Sequence, residues 1–188
     1  MIKNKACFLD RDGVLIEEVN YLSSPSQIHI FENSYKALKL LKDNGYIIII
    51  ITNQAGVARG YFDEDNIQTI HNEIDRLLSI ENLIIDKYYY CPHHPEGTVE
   101  KYSIKCNCRK PAPGLIHQAV KDFNIDLKQS FLIGDKMSDI NSAKNAGCFS
   151  ILVKTGHGLE YTKTAEENNI HIKENILDAV KSFISKQK

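Results

Sequence analysis

Short continuous runs of apolar residues recur along the chain, and stretches with helical periodicity separate them. Runs of this kind are typical of strands that are buried on both faces of a parallel sheet. They lie at residues 6–9, 46–51, 84–90, 130–133 and 150–153. The predicted helices cover residues 34–44, the stretch after Asp63, and residues 115–123, 138–146 and 176–184. Strands that alternate with helices predict an α/β fold with a doubly wound, mainly parallel sheet.

The length of the chain predicts a single domain over residues 1–188, because 188 residues can bury one substantial core but are few for two. Only about 40 residues separate the end of the first strand from the end of the second. Since these must supply a flap, a helix and a strand, we expect no large cap domain. Ligands of such sheets bind at the carboxyl ends of the strands, so the chemistry should lie in the loops that follow them.

Two carboxylates follow the first predicted strand directly. The sequence FLDRDGVL places Asp10 at the strand end and Asp12 two residues later, and Gly13 allows the backbone to turn tightly. One carboxylate can attack phosphorus to give an aspartyl-phosphate, while a second protonates the leaving oxygen and then activates water. A pair of turn or helix-capping aspartates is the alternative interpretation, and the other strand ends decide between the two.

Polar side chains also follow the second and fourth strands. Thr52, Asn53 and Gln54 carry a hydroxyl and two amides that suit phosphate oxygens, although TNQ is also an ordinary polar turn. Asp135 and Asp139 follow the fourth strand and add the oxygen ligands that Mg²⁺ prefers. Asp139 could instead be an early-helix aspartate that the helix dipole stabilises. Together these strand ends favour phosphoryl chemistry.

The charge of the chain is nearly balanced, with 23 Lys and Arg against 24 Asp and Glu, and no basic tract predicts nucleic-acid binding. Locally, Arg109 and Lys110 supply fixed cations of the kind that a transferring phosphoryl group needs, although such a pair is usually surface charge. Arg11 and Arg59 add positive charge near the same strand ends, and a structural ion pair is the alternative for Arg11. A small phosphorylated partner is therefore expected.

The loop at residues 91–114 contains three of the five cysteines, and its sequence CPHHPEGTVEKYSIKCNCRKP gives two closely spaced pairs. Cys91, His93, Cys106 and Cys108 form an ordinary tetrahedral set for structural Zn²⁺, which would staple the loop. His94 is a competing ligand, and a reduced loop with incidental cysteines is the alternative. The remaining histidines in apolar or helical stretches are expected at surface or capping positions: His71, His117, His157 and His171.

The N-terminus and the hydropathy of the chain bear on where the protein works. MIKNKACFLD runs directly into a strand-like stretch without a secretory signal, and no apolar run approaches the roughly 18 residues of a membrane span. We therefore expect a cytoplasmic protein with no membrane partner, and we expect it to be a monomer.

The segments LDRDGV, ITNQ, RKP and GDKMSD, in this order and each at a predicted strand end, resemble the four motifs of the haloacid dehalogenase superfamily. The resemblance implies that Asp10 is the nucleophile and Asp12 the general acid and base. It implies that Thr52 and Lys110 stabilise the phosphoryl group. It further implies that Mg²⁺ is a cofactor held by Asp10, Asp12 and Asp135. The residues of the cysteine-bearing loop add Zn²⁺ as a second, structural cofactor.

The segments TNQAGVARG, YYYCPHHPEG, CNCRKPAPG and GDKMSDI extend the similarity to the heptose bisphosphate phosphatases, a branch that includes histidinol-phosphate phosphatases. This resemblance favours His93 over His94 as the zinc ligand and implies removal of a sugar C7 phosphate in the synthesis of a nucleotide-activated heptose. It implies substrate contacts from a flap and from several strand ends: Glu18, Val19, Asn20, Tyr21, Thr52, Asn53, Gln54, Ala55, Arg109, Lys110 and Lys136.

Two other functions remain open at this point. A phosphatase for histidinol phosphate or another small phosphomonoester would use the same motifs on a different substrate. A zinc-loop binding module without catalysis would keep the cysteines and lack the carboxylates, and the presence of both Asp10 and Asp12 weighs against it.

Overall fold

Six parallel strands form one sheet in the computed structural model, which describes residues 3–186. The spatial order is β3-β2-β1-β4-β5-β6. The strands are β1 (Ala6–Leu9), β2 (Ile47–Asn53), β3 (Lys87–Cys91), β4 (Phe131–Gly134), β5 (Phe149–Val153) and β6 (His171–Lys173). The order of connection reverses between β1 and β4, and the carboxyl ends on either side of such a switch point form a natural binding crevice.

Helices cover both faces of the sheet. They are α1 (Glu32–Asp43), α2 (Ala55–Ala58), α3 (Glu64–Ser79), α4 (Gly114–Phe123), α5 (Met137–Ala146), α6 (Gly158–Glu167) and α7 (Ile176–Ser185). In β1, Cys7 and Leu9 face a core built with α1, α3 and α7, while Ala6 and Phe8 face a second core built with α4 and α5. This alternation follows from the period of two along a strand.

The doubly wound parallel fold expected from the sequence is confirmed, and β1 has the predicted bounds. Three of these helices and strands were missed, and one of them, α2, has only four residues, AGVA, which is too short to show a helical period. The edge strand β6 has only three residues, HIK, and α6 buries only Gly158 and Ala165, so neither presents an apolar pattern. The interval between β1 and α1 contains one 3-10 turn, Pro25–Gln27, and no large insertion. In residues 3–186 no helix is long and apolar enough to cross a membrane.

Candidate active site and cysteine cluster

The carboxyl ends of β1 and β4 bring three buried aspartates together. Asp10, Asp135 and Asp139, named here the carboxylate centre, each place an oxygen within 4.8 Å of the other two. The backbone N–H of Asp10 donates to the carbonyl of Ile133 at 3.0 Å, which joins the two strand ends. A Cβ at Gly13 would come within 2.4 Å of Asp135 Oδ2, so this turn must approach the aspartate without a side chain.

Lys110 is the cation inside the carboxylate centre. Its Nζ lies 3.0 Å from Asp10 Oδ1 and 2.5 Å from Asp139 Oδ1, and it donates to the carbonyl of Ile51 at 2.9 Å. Burial alone would lower the pKa of this ammonium, but the carboxylates of Asp10 and Asp139 outweigh that effect and raise it. Lys110 is therefore a permanently charged group in contact with the first strand-end aspartate.

The carboxylate centre still has more negative charge than one lysine balances. Burial, together with the neighbouring carboxylates, raises the pKa of Asp10 to about 7, and burial raises the pKa of Asp135 to about 6. Asp135 Oδ2 accepts from the backbone N–H of His157 at 2.9 Å, whereas its buried Oδ1 has no hydrogen-bond partner among residues 3–186. Hard carboxylate oxygens with an unpartnered member fit a cation such as Mg²⁺.

The carboxylate of Asp12 lies outside the carboxylate centre. It is held between the guanidinium of Arg11, whose Nη2 is 3.0 Å from Asp12 Oδ2, and Gln54, whose Nε2 donates to the same oxygen at 2.9 Å. Gln54 Nε2 also donates to Thr52 Oγ1 at 2.9 Å. The side chain of Asp12 is 15% exposed, so it faces the cleft in a fixed orientation.

A cleft of about 210 Å³ opens above these groups. Most of the predicted contact residues line it: Asp10, Asp12, Glu18, Asn20, Tyr21, Thr52, Asn53, Gln54, Ala55, Lys110 and Lys136. Val19 packs against the hydrophobic core instead, and Arg109 donates from Nη1 to the carbonyl of His93 at 3.2 Å. The structure therefore gathers the predicted substrate contacts, except these two, at one cleft, whereas the predicted metal ligand Asp135 is buried and does not line it.

The flap is fastened to the opposite wall of the cleft by Glu18. Its Oε2 lies 3.1 Å from Lys136 Nζ and 3.7 Å from His157 Nε2. Asn20 and Tyr21 have φ angles of 44° and 62°, in the left-handed region that residues with a side chain seldom adopt. His157 and Ser138 also line the cleft, and nothing in their sequence spacing singled them out.

Asn53 links the second strand to the loop that carries Lys110. Its Nδ2 donates to the carbonyl of Lys110 at 3.0 Å, and its Oδ1 accepts from the N–H of Lys110 at 3.0 Å. Both ends of the amide therefore hold the backbone of one residue. Although Asn53 lines the cleft, the contacts of its side chain serve to position Lys110.

Cys91, His93, Cys106 and Cys108 lie together at the start and end of the long loop and are named here the cysteine cluster. The sulfur atoms are 3.0 to 3.5 Å apart, and His93 Nδ1 lies 3.3 Å from Cys108 Sγ. A tetrahedral Zn²⁺ with bonds of about 2.3 Å to sulfur would separate two sulfurs by about 3.8 Å. The three cysteines form no disulfide, and the distances between their sulfur atoms are close to those that a bound Zn²⁺ requires.

His94 is not a member of the cysteine cluster. Its Nδ1 accepts from the backbone N–H of Glu96 at 3.1 Å and takes part in a local turn. His71 is 3% exposed in the interior of α3, so the expectation of a surface or capping position is wrong for this histidine. Its burial follows from its place on the apolar stripe of that helix, next to Ile70 and Ile74.

An all-parallel sheet with a strand-end aspartate, a buried lysine and a second aspartate at the switch point defines a class, the haloacid dehalogenase-like hydrolases. The HAD-hydrolase-like family matches residues 107–181. A D-glycero-alpha-D-manno-heptose-1,7-bisphosphate 7-phosphatase of Photorhabdus laumondii is 48% identical over 158 residues, or 82% of this chain and 85% of that protein. The corresponding beta enzyme of Haemophilus ducreyi is 45% identical over 82% of this chain and 86% of that protein.

A solved structure gives the same result in three dimensions. The D,D-heptose 1,7-bisphosphate phosphatase from B. bronchiseptica, complexed with magnesium and phosphate, superposes with a TM-score of 0.83 at 29% identity, over 97% of this chain and 99% of that one. The chain belongs to the family of D-glycero-D-manno-heptose-1,7-bisphosphate 7-phosphatases.

Proposed function

We propose that the protein removes the C7 phosphate of D-glycero-D-manno-heptose 1,7-bisphosphate and leaves heptose 1-phosphate for nucleotide-sugar synthesis toward lipopolysaccharide or another surface glycan. The observation that carries the chemistry is the buried Asp10 carboxylate in contact with Lys110, with Asp12 beside it at the same cleft. The family of the chain supports the choice of substrate.

The first half of the reaction forms an aspartyl-phosphate on Asp10. Its Oδ1 is held by the backbone N–H of Arg11 at 2.7 Å and by Lys110, so we assign the attack on phosphorus to Oδ2. As the new bond forms, the bond between phosphorus and the sugar oxygen breaks, and Asp12 gives its proton to that oxygen. Thr52 and the charge of Lys110 stabilise the phosphoryl oxygens during transfer.

In the second half, a water molecule attacks phosphorus, and the Asp12 carboxylate takes its proton. The bond between phosphorus and Asp10 breaks, inorganic phosphate leaves, and both aspartates return to their starting states. Mg²⁺ would be held by Asp10 and Asp135, and it would supply positive charge to the phosphoryl oxygens when bound. Any contribution of Asp12 to that ion would come from an atom other than its carboxylate oxygens, since Arg11 and Gln54 hold these.

The cysteine cluster would hold Zn²⁺ in a structural role. Three thiolates and one imidazole complete a tetrahedral shell and leave no open position for a substrate. The loop that this ion would close continues directly from Cys108 into Arg109 and Lys110. A bound zinc ion would therefore serve catalysis only by holding Arg109 and Lys110 in position.

The chain would act as a monomeric, single-domain enzyme of the cytoplasm, over residues 1–188. One chain supplies all the carboxylates, the cations and the flap of the cleft.

Lys110 and Thr52 would bind the transferring phosphoryl group, and Arg109 would bind the phosphate at the other end of the sugar.

The proposal is tested by phosphate release from the two anomers of heptose 1,7-bisphosphate, fructose 1,6-bisphosphate and histidinol phosphate, each with added Mg²⁺. We expect the highest kcat/KM with a heptose bisphosphate, and heptose 1-phosphate as its product. Both anomers are needed because the two relatives named above differ in this respect. Preference for histidinol phosphate, or heptose 7-phosphate as the product, would contradict the assignment, and no release from any substrate would indicate a binding module.

A further inference from the structure

A buried chain of side chains continues from Asp12 into the interior, away from the cleft. Arg11 is 1% exposed, and its Nε and Nη2 both face the carboxylate of Asp12, at 3.0 to 3.2 Å from the two oxygens. A guanidinium that meets a carboxylate with two parallel N–H groups fixes the orientation of the carboxylate as well as its charge. Although Arg11 is among the residues that line the cleft, these N–H groups of its guanidinium are engaged with Asp12.

The far side of the guanidinium is held by His71 of α3. Arg11 Nη1 lies 3.4 Å from His71 Nε2, and because arginine cannot accept a hydrogen bond, the ring nitrogen must be the acceptor. Burial, together with the Arg11 cation, lowers the pKa of His71 to about 3, which keeps the ring neutral and able to accept. The His71 ring stacks on Tyr88, with centroids 4.2 Å apart, and Tyr88 donates to Asp75 Oδ1 at 2.6 Å.

We propose that Arg11 is a positioning residue that fixes the Asp12 carboxylate for proton transfer, and that His71 holds the guanidinium in place. The inference rests on the proposed function, since it deepens the role of Asp12 as general acid and base. Asp12 is partly exposed to the cleft and has donors from two sides, Arg11 and Gln54. Without the guanidinium, one side of the carboxylate would be free to rotate away from the leaving oxygen.

Proton donation matters most when the leaving oxygen is a poor leaving group, and this gives the test. The release of phenols in a single turnover, with enzyme in excess and Mg²⁺ present, is measured over a series of aryl phosphates whose phenols range from strong to weak acids. We expect Arg11→Lys, which keeps the charge but loses the planar fork, to slow release of the most weakly acidic phenol by about tenfold to 10²-fold. Release of the most acidic phenol should change little, so the dependence on leaving group becomes steeper.

His71→Phe provides a second variant that keeps a ring against Tyr88 and removes only the acceptor. It should also make the rate of phenol release depend more steeply on the acidity of the phenol, but by a smaller factor than Arg11→Lys does. Arg76→Lys is the matched control, because Arg76 lies on the same helix and pairs with Glu73 at the surface, and it should leave the dependence unchanged. In an Asp12→Asn background, Arg11→Lys should add no further steepening, because both act on the same proton transfer.

A loss of equal size over the whole series would overturn the inference and leave Arg11 as a structural ion pair. Additive effects of Arg11→Lys and Asp12→Asn would overturn it as well. A failure of the proposed phosphatase reaction itself would look different. Phenol release by the unaltered enzyme would then depend neither on Mg²⁺ nor on Asp10. Thermal unfolding of each variant, compared with the unaltered protein, identifies a variant that fails to fold, and the other variant then carries the test.

Discussion

The carboxylate centre and the cysteine cluster both suit a metal ion, yet they are built in opposite ways. The carboxylate centre joins the ends of two central strands and α5, its three aspartates are buried, and it adjoins an open cleft. The cysteine cluster takes Cys91 from the end of an outer strand and its other three residues from a loop, where they are only partly buried. Hard oxygen atoms in one and soft sulfur atoms in the other select different ions.

The two groups are nevertheless joined by a very short piece of chain. Cys108 is followed by Arg109 and then by Lys110, which enters the carboxylate centre and is held there by Asn53. A loop fixed at one end by the cysteine cluster and at the other by an asparagine delivers the buried cation. We therefore expect damage to the carboxylate centre to remove activity, and damage to the cysteine cluster to lower stability first.

The largest expected effect is at the carboxylate centre. Asp10→Asn should abolish turnover, because an amide does not attack phosphorus and is a poor ligand for a hard cation. The fold should persist, since the substitution keeps the size of the side chain. Phosphate release and thermal unfolding are the measurements, and normal release would remove Asp10 from the proposed reaction. Asp12→Asn is the companion variant, with a loss on the order of 10² or more.

Removal of metal ions should affect the two groups differently, and this is the second largest effect that we expect. Dialysis against a weak chelator should take Mg²⁺ and all activity from the protein while one zinc per chain remains bound, and added Mg²⁺ should restore the activity. The physical reason is that thiolates hold zinc far more tightly than carboxylates hold magnesium. Metal analysis and activity are followed in the same samples. Reduced protein that contains no zinc would contradict the assignment of the cysteine cluster.

The sequence alone predicted most members of both groups. Asp10 and Asp135 could be placed because each follows an apolar run, and parallel strand ends meet at one edge of a sheet. Close spacing places Cys91 near His93 and Cys106 near Cys108, and the two pairs could be joined because three thiolates and one imidazole form an ordinary ligand set for structural Zn²⁺.

The partnerships across the fold could not be predicted in this way. Arg11 with His71 and Asn53 with Lys110 join residues 60 and 57 positions apart, and their spacing carries no signal. The burial of Asp139 against Lys110 likewise depends on how α5 packs on the loop before α4. Orientation of side chains within the site is thus set by tertiary packing, which a single sequence pattern does not encode.

An intermediate effect is expected from damage to the cysteine cluster. Cys106→Ser should lower the free energy of unfolding by about 2–4 kcal/mol, because metal binding in such a site contributes to folding. For a chain of this length that loss corresponds to a decrease of about 4–16 °C in Tm. Lys105→Ala, at an exposed position next to it, is the matched control and should change Tm little. Hydrolysis of an aryl phosphate well below Tm should be reduced but retained, since Asn53 still holds Lys110.

The smallest expected effect lies between the two groups, at Arg109. Its guanidinium donates to the carbonyl of His93 in the loop and lies outside the lining of the cleft, so it either meets the second phosphate of the substrate or only supports the loop. If it meets that phosphate, Arg109→Ala should lower kcat/KM more for heptose bisphosphate than for an aryl phosphate. The difference should correspond to about 1–3 kcal/mol of binding free energy, the range of a charge-assisted hydrogen bond. Arg109→Lys, which keeps the charge, should recover part of the difference. Equal losses on both substrates, accompanied by a lower Tm, would assign Arg109 to the cysteine cluster alone and leave the second phosphate to other residues of the cleft.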